Sequence, residues 1–164
     1  MYSPSWNVLQ RLEEVPLVYD SSPEKHWVYE VSLGTPTGSN WLGNLPGAHR
    51  LIQALLQGQL FGQYELLDFL IWPGGLFTRV SLGTSASLSE FLNFLKEKTI
   101  PAGEPSALYW DEELRWIKLV PPGEMGESTL GFLEKAARVR QAVEKSAGSS
   151  PNLFFFYRNP RLAS

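Results

Sequence analysis

The side chains that could perform acid–base, metal-dependent or nucleophilic chemistry are few in this sequence, and they are scattered. The two histidines, His26 and His49, lie far apart, and neither has a carboxylate at helical spacing. The acidic runs at residues 13–14 and 111–113 fall in predicted loops, where acids are usually solvated. A general acid–base pair instead needs two carboxylates that converge in a cleft. No serine stands in the Gly-x-Ser-x-Gly arrangement of a nucleophile elbow.

The cysteine count narrows the chemistry further. None of the 164 residues is cysteine, which excludes disulfides, thiolate metal sites and cysteine nucleophiles. Two histidines leave little room for an imidazole metal cluster. The composition therefore predicts no metal ion and no cofactor, and it makes an enzyme with an unrecognised site the weakest functional hypothesis.

Aromatic and basic residues alternate in two predicted strands. Strand periodicity places Trp116 and Lys118 on one face of their strand, and Phe77 and Arg79 on one face of theirs. Aromatic rings beside cations bind single-stranded nucleic acid by stacking and by phosphate contacts. The alternative is that the rings face the core while the cations extend at its rim.

The charge is divided unevenly along the chain. Residues 1–127 hold 8 basic and 15 acidic residues, whereas residues 128–164 hold 6 basic and 2 acidic residues. This division hints at a basic C-terminal face that would suit an anionic partner. An acidic surface that serves solubility is the simpler interpretation of the total net charge of −3.

Hydrophobic periodicity and turn residues predict the elements that must position these side chains. The segments on either side of residues 73–75 are expected to form an antiparallel hairpin. In the last helix, Leu130, Leu133, Ala137 and Val143 are expected to face the core. The predicted strands are 27–33, 64–72, 76–82, 107–110, 114–120 and 152–157, and the predicted helices are 46–58, 87–98 and 128–146.

These elements predict one α+β domain over residues 1–164, with its core at about 27–146. The expected architecture is an antiparallel β-sheet with helices packed against it, and its core β-α-β-β-α is expected to resemble half of a split βαβ arrangement, with its helices on one face. No apolar run is long enough for a transmembrane helix, and residues 1–7 lack the basic and apolar regions of a signal peptide. The sequence therefore predicts a cytoplasmic protein without a membrane partner.

Residues 27–120 resemble the REP-associated and insertion-sequence HUH-type tyrosine transposases of bacteria. The segment YEVSLGT at 29–35 is similar to the first strand of that family. The segment LDFLIWPGGLFTRV at 67–80 is similar to the strand that carries a methionine-proline-asparagine-histidine-x-histidine signature. The segment SLSEFLNFLK at 87–96 is similar to the helix that follows. The resemblance implies a ferredoxin-like or RRM-like transposase fold.

The departures from that family fall on its chemistry. Family members hold a divalent metal ion with the two signature histidines, and a helix tyrosine attacks the scissile phosphate to form a phosphotyrosine link. The two histidine positions are Gly75 and Phe77 in this chain, and neither side chain binds metal. The predicted helix 128–146 contains no tyrosine, although Tyr109 and Tyr157 flank it. The resemblance thus implies a transposase-like protein that has lost catalysis.

Two functional hypotheses follow from the resemblance and its departures. The first is an inactive relative that still binds single-stranded or hairpin DNA. The second is a protein-interaction or structural domain with no nucleic-acid role, for which a homodimer is one arrangement. The apolar segment at 153–157 suits a dimer contact, and it equally suits closure of the chain's own sheet. The candidate DNA contacts are Arg79, Lys96, Lys98, Arg115, Trp116 and Lys118.

Overall fold

The computed structural model describes residues 27–60, 64–82, 86–145 and 154–160, and these form five strands and three α-helices. His26 and the acids at 13–14 lie outside the described residues. Short 3₁₀-helices cover Trp41–Gly43, Ser106–Leu108 and Pro122–Glu124. The elements are β1 (Trp27–Gly34), α1 (Leu45–Leu60), β2 (Glu65–Trp72), β3 (Gly75–Leu82), α2 (Ala86–Thr99), β4 (Asp111–Val120), α3 (Met125–Lys145) and β5 (Phe155–Arg158).

The strands form one antiparallel sheet in the order β4-β1-β3-β2-β5. This arrangement confirms the predicted α+β class with an antiparallel sheet. The first six regular elements run β-α-β-β-α-β, which is the order of the split βαβ motif. The narrower assignment to a ferredoxin-like transposase fold stays a prediction.

A tight turn at Pro73–Gly74 joins β2 and β3, as the hairpin prediction required. Trp72 pairs with Gly75 across the turn, and the Thr35 amide donates to the Gly74 carbonyl at 3.0 Å. Gly75 has φ +157°, and a Cβ added there would lie 2.3 Å from the backbone oxygen of Leu33. β1 and β3 can therefore approach this closely only because residue 75 has no side chain.

One face of the sheet packs on α1 and α2. Alternate residues of β1, namely Tyr29, Val31 and Leu33, point into this core, as strand periodicity requires. Leu51 and Leu55 enter it from α1, where they lie on one stripe of the helix. The main core of the domain thus lies between the sheet and this pair of helices.

α3 packs on the face of the sheet opposite to α1 and α2, so the expected one-sided placement holds for the two helices of the β-α-β-β-α core and does not extend to α3. The residues that α3 buries are Ser128, Phe132, Val139 and Val143. The prediction for Val143 is confirmed, but the predictions for Leu130, Leu133 and Ala137 are wrong. Leu130 is 63% exposed and Leu133 36% exposed, and Ala137 is exposed as well.

The physical reason for this rotation of α3 is the chemistry of the sheet face beneath it. That face presents the carboxylate of Glu30 and the ring of Phe77, which a serine and a phenylalanine complement better than leucines do. An apolar stripe on a helix therefore does not predict the buried face of that helix where the opposing surface is polar and aromatic.

Two further predictions of elements are corrected. Residues 107–110 do not form a strand, because Ser106–Leu108 is a 3₁₀-helix and Tyr109–Trp110 links it to β4. Residues 111–113, predicted as a loop, begin β4, since Asp111 pairs with Gly34 of β1. A C-terminal strand is present as β5 at Phe155–Arg158, which pairs with β2 and so extends the chain's own sheet, while residues 152–153 of the predicted strand lie outside the described residues. Within the described ranges, no helix combines the length and apolar character that crossing a membrane requires.

We expect Gly75→Ala to lower the free energy of unfolding by about 1–3 kcal/mol, since the new Cβ would force β1 and β3 apart. Urea denaturation followed by circular dichroism measures this change. Gly131→Ala is the matched control, because a Cβ there meets nothing within 4 Å and the position lies in a helix. That control should raise stability by about 0.5–1 kcal/mol. Equal effects of the two variants would contradict the close approach at Gly75.

Candidate functional site

The sheet face beneath α3 carries a row of aromatic rings. Phe77 of β3 stacks on Phe132 of α3 with ring centroids 5.9 Å apart, and Phe132 stacks on Phe156 of β5 at 5.7 Å. Trp116 of β4 lies 6.4 Å from Phe77. These rings join β4, β3 and β5 to the same helix, and their burial removes a large apolar area from water.

A buried ion pair lies beside these rings. Arg79 of β3 is 1% exposed and Asp68 of β2 is 0% exposed. The Arg79 guanidinium donates through Nε to Asp68 Oδ1 at 2.9 Å and through Nη2 to Oδ2 at 2.7 Å. This bidentate geometry is the strongest arrangement of an arginine and a carboxylate. Burial raises the pKa of Asp68, while the hydrogen bonds from Arg79 act in the opposite direction.

The ion pair continues into α3 through hydroxyl groups. Arg79 Nη1 donates to Ser128 Oγ at 3.1 Å and to Thr129 Oγ1 at 3.0 Å. Ser128 Oγ in turn donates to Glu30 Oε2 of β1 at 2.6 Å. One hydroxyl thus links a cation on β3 to an anion on β1. Strands β1, β2 and β3 are all tied to the first turns of α3.

A second cation reaches the same carboxylate from the edge of the sheet. Arg158 Nε of β5 lies 3.6 Å from Asp68 Oδ2, and the Asn159 side chain donates to the Leu66 carbonyl at 3.0 Å. The described cluster therefore contains two guanidinium groups, from Arg79 and Arg158, and two carboxylates, from Asp68 and Glu30. The balanced charges explain how this face can be buried under a helix.

Next to the cluster, an open cleft of about 300 Å³ lies between α3 and β4. Phe77 and Trp116 form its aromatic floor, and Lys118 and Lys135 are among its charged residues. Lys135 Nζ lies 4.5 Å from the ring centroid of Phe77 and 4.7 Å from that of Trp116. Burial lowers the pKa of Lys135. The chain's own ammonium group thus covers the rings that a nucleobase would stack on.

The structure places the six candidate DNA contacts in three different environments. Arg79 and Trp116 are buried, although Trp116 lines the open cleft beside α3 and Arg79 lines a second cleft with Arg158 and Thr129. Lys96 and Arg115 converge on one carboxylate, since both form ion pairs with Glu112. The hydrogen bond from Lys96 lowers the pKa of Glu112.

The remaining two candidate contacts, Lys98 and Lys118, have exposed side chains. Lys98 Nζ lies 5.8 Å from the ring centroid of Phe94 on the same helix. Lys118 lies at the rim of the cleft on β4. The six residues therefore do not form one continuous basic surface.

The two positions that match the family's metal histidines differ in their surroundings. Phe77 is 1% exposed and stacked beneath Phe132, and Gly75 contacts the Leu33 backbone so closely that a Cβ does not fit. Among the described residues, no group of three or more histidines and acids converges as a metal site. Tyr157 stacks on Phe69 at 5.1 Å, on the sheet face opposite Phe77. Tyr109 donates its hydroxyl to Glu104.

Sequence reasoning missed the buried cluster as a unit. Its signal was an isolated acid within the apolar run LLDFLIW and an isolated base within GLFTRV. A charge inside a strand that is apolar on both sides requires a buried partner. The hairpin that joins these two strands brings Asp68 opposite Arg79. Ser128 could not be found this way, because its contact depends on the rotation of α3.

We expect Arg79→Met to lower the free energy of unfolding by about 3–5 kcal/mol, because Asp68 would remain buried without the two hydrogen bonds from Arg79. Urea denaturation measures the loss, and the double variant Asp68→Leu with Arg79→Met should recover most of it. Arg140→Met is the control, since it removes the exposed Arg140–Glu144 pair, which contributes about 0.3–0.5 kcal/mol. Similar losses for Arg79→Met and Arg140→Met would contradict the role of burial.

Comparisons of the chain with family models, with curated proteins and with solved structures each found no match. The resemblance to tyrosine transposases therefore stays a prediction that depends on the residues quoted for it.

Proposed function

We propose that this chain is a non-catalytic protein-interaction domain with no role in nucleic-acid cleavage. The proposal is supported by one observation: α3 covers one face of the sheet. At the position that matches a metal histidine, Phe77 packs against Phe132, and the second such position, Gly75, has no room for a side chain. A metal-dependent strand transfer has neither ligands nor space there.

The attachment of α3 supports a permanent cover rather than a movable lid. Displacing the helix would leave Arg79 without the hydroxyl acceptors of Ser128 and Thr129, and Glu30 without its donor. It would also expose the rings of Phe77 and Phe132 to water. Each hydrogen bond to a charged group that is exchanged for hydrogen bonds to water costs about 1.5–3 kcal/mol net. Exposure of the sheet face for binding is therefore opposed by several independent contacts.

The charges near β4 also support the interaction hypothesis over DNA binding. Glu112 forms ion pairs with both Lys96 and Arg115, and Glu113 is exposed beside it. The cleft that contains Lys118 and Lys135 is also lined by Glu30, Glu124 and Glu127. A phosphate backbone approaching either region would meet carboxylates as well as cations.

A second candidate function is retained binding of single-stranded or hairpin DNA. Two observations favour it: Lys98 and Lys118 are exposed, and no ion pair of either is present among the described residues. Two separated cations contribute little affinity at physiological salt, since each phosphate contact adds only a modest electrostatic gain. The same titration distinguishes the two functions.

We expect labelled single-stranded and hairpin oligonucleotides to show no saturable change in fluorescence anisotropy when the protein is added at low salt. We expect no covalent adduct between protein and DNA when Mg²⁺ or Mn²⁺ is included, because the metal ligands and the attacking tyrosine are missing.

Salt-dependent binding of DNA is the result that would contradict the proposal. Binding that weakens as salt rises, and that weakens further in Lys98→Ala with Lys118→Ala, would establish the DNA-binding function and overturn the proposal. Glu97→Ala is the control variant, since it removes an exposed charge next to Lys98 without removing a cation.

A further inference from the structure

We propose that the outward face of α3 packs against α3 of a second copy of this chain, with the two helices antiparallel. This inference rests on the proposed function, because it names the partner of the interaction domain. It concerns the face of α3 that points away from the sheet, and it leaves the aromatic and charged face beneath the helix undisturbed.

The first observation is an apolar stripe on that outward face. Leu130, Leu133 and Ala137 recur at the spacing i, i+3 and i+7, which places them on one side of a helix. Leu130 is 63% exposed and Leu133 is 36% exposed. Gly126 continues the stripe one turn earlier, and a Cβ there would meet nothing within 4 Å. Adjacent exposed leucines on one helix face are typical of a contact surface.

The second observation is a line of charges beside the stripe. Glu127, Glu134, Arg138 and Lys145 follow one another at steps of 7, 4 and 7 residues, so they lie along one side of α3. All four are exposed. The acids occupy the N-terminal half of the helix and the bases occupy the C-terminal half. Within the described part of the chain, none of the four forms an ion pair.

The acids of this line face the bases of the same line in a second copy only when the two α3 helices are antiparallel. In an antiparallel pair related by a two-fold axis, each flank of a helix meets the same flank of its partner. One register then places Glu127 opposite Lys145 of the second copy and Glu134 opposite Arg138 of the second copy. The two spacings agree, because the step from 127 to 134 equals the step from 138 to 145.

The same register brings the two apolar stripes near each other. It places Leu133 level with residue 139 of the second copy, two residues or about 3 Å along the helix from Ala137 of that copy, and the two-fold axis repeats this approach of a large side chain to a small one. The helix has 21 residues and is therefore about 31 Å long, which limits the buried area. We expect a dimer that dissociates on dilution, as interfaces at the small end of the range do.

The first test is sedimentation velocity over a range of concentrations. The wild-type chain should show a concentration-dependent shift from monomer to dimer. Leu130→Glu with Leu133→Glu should remain monomeric, with an unchanged circular dichroism spectrum, because both side chains are exposed in one copy. Leu60→Glu is the control: Leu60 is 80% exposed at the end of α1, and its substitution should leave dimerisation unchanged.

The second test reverses the charges. A basic variant carries Glu127→Lys and Glu134→Lys, and an acidic variant carries Arg138→Glu and Lys145→Glu. Each variant alone should be monomeric, because its line of charges has a single sign. An equimolar mixture should form a heterodimer at a lower concentration than the wild type forms its homodimer. High salt should weaken that heterodimer.

Three results would overturn this inference. They are a wild-type chain that stays monomeric at the highest soluble concentration, a dimer that survives Leu130→Glu with Leu133→Glu, and charge variants that fail to associate when mixed. If any of these occurs and the DNA titration is also negative, the inference fails and the proposed function stands with a different partner. If DNA binds with salt dependence, the proposed function itself fails, whatever the oligomeric state.

Discussion

The burial of Arg79 against Asp68 is the constraint on which the second face of this sheet depends. A guanidinium and a carboxylate in the interior require full hydrogen bonding, and the strands alone supply only part of it. Ser128 supplies an acceptor for the cation and a donor for Glu30. The need to place that hydroxyl over Arg79 fixes the rotation of α3. The same rotation puts Phe132 on Phe77 and turns Leu130 toward solvent.

Much of the fold could be predicted from local patterns in the sequence. The alternation in β1 and the turn residues between β2 and β3 indicated a half-buried sheet with a hairpin, and both are present. The leucine stripe of α1 indicated its buried face. The incorrect predictions concern elements whose position depends on contacts with residues distant in sequence. The start of β4 at Asp111 depends on pairing with Gly34, and the rotation of α3 depends on groups from β1 and β3.

The candidate site was less predictable than the fold for a related reason. Strand periodicity correctly placed Phe77 with Arg79 and Trp116 with Lys118. It could not indicate that a helix covers these pairs or that Lys135 approaches the rings. The same alternation of aromatic and basic residues describes an open nucleic-acid surface and a closed helix–sheet interface. The two arrangements differ in whether a helix covers the strands, and the pattern of a strand does not indicate this.

The pairing of β5 with β2 has a consequence for synthesis of the chain. β2 is apolar over most of its length, and within the described residues its outer edge pairs with Phe155–Arg158 and is hydrogen-bonded by Asn159. During translation this edge lacks its partner until β5 has emerged, so the nascent domain exposes a hydrophobic strand edge for that interval. Asp68 lies within that strand, and a charge there disfavours pairing with a second nascent chain. The residue that anchors the folded interior thus also protects the unfinished sheet from aggregation.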